Sequence, residues 1–426
     1  MSAKLQAIVK NLVGATLIAH IALFLSFSTS TAWCLFFTAA LFFAFLGMGK
    51  VILLSTSILL ALSLSEIIIR KLEFVDGLHY DPLNALGVEY PGAVGLYRAN
   101  TTLDSEMPYG NLYAMSVGQG GVVPEPRHIR IQIDAHGFRN SEEYHGQSLI
   151  LVGDSFLAGN GNTQSALLSE VLRRAGGLDS YSVAYPGDIL KYQRAIQFFE
   201  SNIKGHNSAA KYIIFLFEGN DFPEFRAPTQ QPFTVWYPQK LKSWGQLLKL
   251  NQLLSIINGR REAKRSSQER PPTSSFTIRG RTISFLNRYM EVAWRSEYAA
   301  APELEEVLQA LKDRVARVYF IPTKYRVYHP HLKFEEVASS YAQYMGGKTL
   351  TSSELPNRQW EFISKMAGKL GIPITDLTPQ LRQAALELLE KREFVFWGDD
   401  THWNAYGISE AAKVILQEFP KPSGVQ

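Results

Sequence analysis

The sequence predicts an α/β protein, a mainly parallel sheet between two helical layers, preceded by N-terminal transmembrane helices. Three observations predict it. Short apolar runs, among them Ser148 to Val152, Tyr212 to Phe217 and Arg317 to Ile321, alternate with amphipathic helical patterns, as in βαβ units. These runs are continuously apolar rather than alternating, which is how strands buried on both faces read. From Leu5 to Ile69, finally, Lys10 and Lys50 are the only charged side chains before Glu66.

The N-terminal block predicts an anchor over residues 1–72. Leu12 to Phe27 continues the apolar face begun at Ile8 and is long enough to span a bilayer, and Ala32 to Phe45 and Val51 to Ile69 flank a break at Gly47-Met48-Gly49-Lys50. A spanning helix needs about 20 apolar residues. The block therefore fits three spans better than two. Lys4 and Lys10 precede the first span, which by the positive-inside rule places the N-terminus in the cytoplasm. Three spans export the rest of the chain from an inner membrane of bacterial type, whereas two leave it in the cytoplasm. Cys34, the single cysteine, lies inside a predicted span, so no disulfide framework is expected.

Residues 73–147 read as a linker and β-rich cap, with alternation in Ile129-Arg130-Ile131-Gln132-Ile133. From 148 to 426 the pattern is that of a single large domain. After the Ser148 run come Gly153-Asp154-Ser155, a helix predicted over Thr163 to Arg174, a strand closed by Tyr185-Pro186-Gly187, and a helix over Leu190 to Asn202. The Tyr212 strand runs into Glu218-Gly219-Asn220-Asp221. The alternation lapses from about 222 to 300, an insertion expected to shape a substrate cleft. It holds a helical pattern over Leu241 to Ile257 and a basic loop from Gly259 to Arg265. Helix Glu303 to Val315 and the Arg317 strand restore the pattern. Lys324 and Arg326 leave that strand's carboxyl end as candidate contacts to an anionic or sugar substrate. Helices over Trp360 to Leu370 and Pro379 to Leu389 bracket a last strand, Ile372 to Leu377. The loop Gly398-Asp399-Asp400-Thr401-His402 follows.

Ser155 sits at a strand's carboxyl end just before a helix, where α/β sheets place their ligand chemistry. A serine hydroxyl there is a candidate nucleophile if a base and oxyanion donors converge on it. Other readings fit worse. The third glycine of a dinucleotide fingerprint is missing, no Gly-Lys-Ser/Thr cradles a phosphate, and no nucleic-acid partner is expected. His329-Pro330-His331 has no carboxylate or cysteine set around it, so neither a metal nor a cofactor is expected.

Taken in order, Ser155, Gly187, Asn220 and the Asp-rich loop ending in His402 resemble the SGNH (GDSL-type) hydrolase superfamily. The resemblance covers about 148 to 410 and implies a three-layer, flavodoxin-like α/β/α sandwich. By that resemblance Ser155 is the nucleophile. The Ser155 and Gly187 N–H groups and the Asn220 amide are the oxyanion hole, and His402 is the general base. The family's spacing favours Asp399 as the acid that orients His402, with Asp400 as the alternative. Leu157 breaks the Gly-x-Ser-x-Gly elbow of α/β-hydrolases. The expected activity is that of a serine esterase on acyl, notably acetyl, esters through a Ser155 acyl-enzyme. An O-acyltransferase passing the acyl group to a sugar hydroxyl is the alternative, and a non-catalytic glycan-binding or assembly protein a second one. Together with the predicted anchor, the resemblance implies an acylated cell-envelope polysaccharide or glycolipid as substrate. The membrane and the envelope-polysaccharide machinery are the implied partners.

Overall fold

The computed structural model describes residues 48–71, 81–90, 94–116, 121–221, 271–294 and 302–420. The chain divides into two compact units, 1–78 with 228–262, and 79–227 with 263–426.

The first unit is described through one helix, Met48–Lys71. Among the described residues no helix is long and apolar enough to cross a membrane. The expected third span, Val51 to Ile69, does fold as this helix. However, four serines, Thr56 and Glu66 are set into its apolar run, and hydroxyl and carboxylate groups lower the gain from transfer into hydrocarbon. The other two expected spans, Leu12 to Phe27 with Ala32 to Phe45, lie outside the described residues, as does Cys34. The transmembrane anchor, the membrane localisation and the extracytoplasmic placement drawn from it are therefore corrected: the described helices do not support them.

The second unit is built on a five-stranded parallel sheet. In chain order its strands, paired and central, are β1 (Gly87–Tyr90), β2 (Val94–Tyr97), β3 (Thr101–Met107), β4 (Arg127–Ile133), β5 (Leu149–Val152), β6 (Ser180–Ser182), β7 (Lys211–Phe217), β8 (Thr273–Ile278), β9 (Arg281–Leu286), β10 (Val315–Ile321) and β11 (Ile374–Asp376). The central sheet runs β11-β10-β7-β5-β6. Counted along the chain this is the doubly wound order 2-1-3-4-5, whose direction reverses between β5 and β7. Register aligns Val152 with Ile214 and Ile214 with Val318.

Strand periodicity explains the layers. Ile213, Phe215 and Phe217 project into one core with Leu168, Leu172, Leu381 and Ile408, from helices Leu168–Gly176, Thr378–Leu389 and Ala405–Glu418. Tyr212, Ile214 and Leu216 project into the other, against Ile196, Leu308 and Ile363 from helices Ile189–Asn202, Pro302–Leu311 and Arg358–Leu370. Both faces are buried, so the strand is apolar at every position but its first.

Three antiparallel pairs decorate this frame, β1–β2, β3–β4 and β8–β9. Along β4, Arg127, Ile129, Ile131 and Ile133 face inward, as the alternation predicts. The β8–β9 hairpin falls inside the stretch expected to be irregular. Its two-residue turn, Arg279-Gly280, has positive φ at both positions (50° and 80°), the geometry that matches strand twist in a tight hairpin. The helix expected over Leu241 to Ile257 and the basic loop from Gly259 to Arg265 lie outside the described residues.

Candidate active site

Ser155, the candidate nucleophile, is placed by a strand, a turn and a cap. β5 ends at Val152, and Gly153 follows, where a Cβ would stand 3.0 Å from a Leu157 methyl and 3.3 Å from Phe215. Asp154 caps the short helix Ser155–Ala158, its Oδ1 accepting the Phe156 N–H at 2.8 Å. Gly159, at φ 75°, ends that helix in the left-handed conformation glycine adopts most easily. Ser155 is therefore held at the sheet's reversal point with its side chain half-buried.

His402 arrives from 247 residues away, with Nε2 2.8 Å from Ser155 Oγ. Its Nδ1 lies 2.6 Å from Asp400 Oδ1. The same oxygen accepts the His402 backbone N–H at 3.1 Å, so the carboxylate folds back over its own loop. Asp400 Oδ2 accepts the Asn111 N–H at 2.9 Å and Arg127 Nη2 at 3.1 Å. Burial alone would raise the Asp400 carboxyl, but the His402 imidazole, Arg127 and the Asn111 N–H outweigh it and hold it at about 2. Burial likewise disfavours a charged His402. The Asp400 carboxylate, helped by Asp154 and Asp81, prevails and raises the imidazole above its ordinary value.

The acid beside His402 is thus Asp400, and the preference for Asp399 is corrected. Asp399 points to the other side of the loop. Its Oδ2 accepts the Gly110 and Glu125 N–H groups at 2.6 and 2.8 Å, and its Oδ1 accepts Arg127 Nη1 at 3.0 Å. Burial dominates there and raises the Asp399 carboxyl, against the pull of Arg127. A residue two before the histidine reaches both its N–H and its ring, which the adjacent Asp399, buried and turned toward Gly110 and Glu125, does not.

One side chain ties the two carboxylates together. Arg127 reaches Asp399 with Nη1 and Asp400 with Nη2, stacks over Trp397 at 4.3 Å, and donates from Nε to the Gly161 carbonyl at 3.1 Å. Gly110 fits beneath because it lacks a side chain. A Cβ there would fall 2.5 Å from the Asp399 carbonyl and 2.6 Å from Asp400 Cβ. Asn111 adds a reciprocal pair, its amide donating to Thr401 Oγ1 at 2.6 Å while its Oδ1 accepts the Thr401 N–H at 2.9 Å. None of Gly110, Asn111 and Arg127 is singled out by motif. A signal existed for Arg127 alone, because the period-2 pattern of Ile129, Ile131 and Ile133 places it on the buried face, where an arginine requires partners.

The oxyanion candidates follow the two strands that flank β5. Gly187 lies beyond β6 and Asn220 beyond β7, on the sheet edge that carries Ser155. A Cβ at Gly187 would meet the Lys191 side chain at 2.2 Å. The Asn220 side chain is exposed and makes no hydrogen bond among the described residues. Its loop is pinned from beneath by Asp221, whose Oδ2 accepts the Phe217 N–H at 2.6 Å and the Tyr192 hydroxyl at 2.7 Å.

Lys324 and Arg326 do not face a substrate. Both are buried at 4 % exposure. Lys324 Nζ donates to the carbonyls of Trp397, Gly398 and Asp400 at 2.8, 3.2 and 2.7 Å. Arg326 Nε donates to Glu218 Oε1 at 2.7 Å, and Glu218 Oε2 accepts both the N–H and the hydroxyl of Thr323. The ends of β7 and β10 are thereby joined. His329 packs against Trp294 and Tyr325, and burial lowers its imidazole to about 4. Among the described residues no group of three or more His, Cys, Asp or Glu is placed to hold a metal ion.

No protein-family model matches this chain, and no curated protein compared with it matches either.

Proposed function

We propose that the chain is a serine hydrolase that cleaves acyl esters through an acyl-enzyme on Ser155. The observation that carries this reading is the unbroken relay from Ser155 Oγ to His402 Nε2 at 2.8 Å and from Nδ1 to Asp400 at 2.6 Å.

The relay fixes the imidazole tautomer. A carboxyl held near 2 is ionised at neutral pH and can only accept, so Nδ1 carries the proton. Nε2 then offers its lone pair to the Ser155 hydroxyl, as a general base requires. Oγ attacks the ester carbonyl carbon while its proton passes to Nε2, and Asp400 stabilises the imidazolium. The carbonyl oxygen becomes negative within reach of the loops carrying Gly187 and Asn220. Nε2 returns the proton to the departing alkoxide, leaving an acyl-Ser155 ester. Water, deprotonated by the same nitrogen, hydrolyses it.

The test is labelling of the full chain by a fluorophosphonate probe together with p-nitrophenyl acetate hydrolysis. Both should be present in the native protein and absent from Ser155→Ala. Equal hydrolysis by the two proteins would overturn the assignment.

A further inference from the structure

We propose that Lys324 is a positioning residue for this reaction, its buried ammonium holding three carbonyls of the 397–402 loop so that Asp400 stays against His402. The inference rests on the reading of Ser155, His402 and Asp400 as a working triad.

The loop is gripped on two sides in chemically opposite ways. Its carboxylates face donors from the 110–127 segment, while three of its carbonyls accept the Lys324 ammonium: Trp397 at 2.8 Å, Gly398 at 3.2 Å and Asp400 at 2.7 Å. Backbone N–H groups of Ser284 and Leu112 add bonds to the Gly398 and Asp399 carbonyls. An ammonium has three N–H donors and no acceptor, so donors and acceptors match one to one. The Asp400 carbonyl belongs to the residue whose carboxylate meets His402, so displacing it displaces the carboxylate. Lys324 leaves the carboxyl end of β10 just after the Thr323 cap, which Glu218 locks to the end of β7. The ammonium is thus referenced to the sheet that also carries Ser155. The Phe285 ring lies 5.5 Å from Nζ and closes the remaining side.

The charged groups facing Nζ are Asp400, Glu125 and Asp399, which favour the ammonium, and Arg127, which opposes it. Burial outweighs them all and brings Lys324 down to about 7. A neutral amine keeps only two donors and loses its charge, so the loop loosens as pH rises through that value. Activity therefore needs His402 neutral and Lys324 charged. It rises with pH through the titration of His402 and falls through that of Lys324.

The experiment uses the full chain, p-nitrophenyl acetate, and fluorophosphonate titration to count competent sites. For Lys324→Met, kcat per titrated site should fall about 10- to 100-fold, the scale of a small misplacement. KM should move less than about threefold, and the descending limb should vanish. Turnover per site within about twofold of native, with a superimposable pH profile, would overturn the proposal. A merely structural lysine would do just that, reducing the number of titratable sites alone. Should Lys324→Met not fold, the native protein decides. Its labelling rate should pass through a maximum and decline on the alkaline side, and a rate still rising at about pH 9 would sink the idea. A native chain that neither labels nor hydrolyses the ester overturns the triad itself, a result distinct from a normal Lys324→Met beside an inactive Ser155→Ala.

Discussion

The two halves of the candidate site are held by different means. Ser155 is placed by regular structure: a strand paired on both sides, a tight turn, an aspartate cap. The loop that carries Asp400 and His402 is placed almost wholly by side chains and backbone groups from elsewhere, chiefly Gly110, Asn111, Glu125, Arg127 and Lys324. Local sequence dictates the first half. The second exists only when segments nearly 300 residues apart have met. The placement of Ser155 should therefore tolerate changes outside its own element better than that of Asp400 and His402 does.

The largest effect breaks both halves at once. Ser155→Ala and His402→Ala should each lower kcat by about a millionfold, and the double variant should be scarcely worse, because the members act as a unit. Rates of p-nitrophenyl acetate hydrolysis check this. Next comes the choice between neighbours. Asp400→Asn should cost about 10⁴ in kcat through the wrong imidazole tautomer, whereas Asp399→Asn should lose at least about 100-fold less. The reverse order would restore Asp399 as the acid. Asn220→Ala should cost about 100- to 1000-fold in kcat with little change in KM if its amide meets the oxyanion, a smaller loss than any member of the relay shows.

Removing the bridge between the two carboxylates tests the nonlocal half. Arg127→Met leaves both aspartates buried without their cation and should destabilise folding by about 3–5 kcal/mol, measurable by urea denaturation. The pH effects are the mildest. Asp400 is depressed in the fold, so its contribution to stability is present above the ordinary carboxylate value and is lost as pH falls toward about 2. Asp399 is raised and has the opposite sign, opposing stability as pH rises through its folded value. In Asp400→Asn the imidazole loses the carboxylate that raised it. The acidic limb of the residual activity should accordingly move to lower pH.

How much of this was legible follows the same division. The apolar runs of β5, β7 and β10 declared a buried parallel sheet because both faces of each strand are covered. Gly153-Asp154-Ser155 declared its turn, since each residue's role there is local. The β8–β9 hairpin is hard to read although Gly280 marks its turn, because the proline-rich, polar stretch before it obscures the alternation. Asp399 and Asp400 are the same residue type one position apart. Their difference lies in which one Gly110 and Glu125 occupy, and nothing adjacent in sequence encodes that. The Val51 to Ile69 block misled in the other direction: its count of leucines and isoleucines hid the hydroxyls between them.

The distance between Gly110 and Asp399 along the chain, 289 residues, bears on how the protein is made. During synthesis the strand that bears Arg127 leaves the ribosome long before the carboxylates it will neutralise. An isolated guanidinium facing an apolar layer is unfavourable, and Arg127 finds its carboxylates only in the last part of the chain. The contacts that bring Ser155 and the 397–402 loop together span 247 residues, contacts of high order that form slowly. On the proposed reading, a nascent chain carries Ser155 without His402 beside it, so the proposed ester chemistry waits on the completed fold.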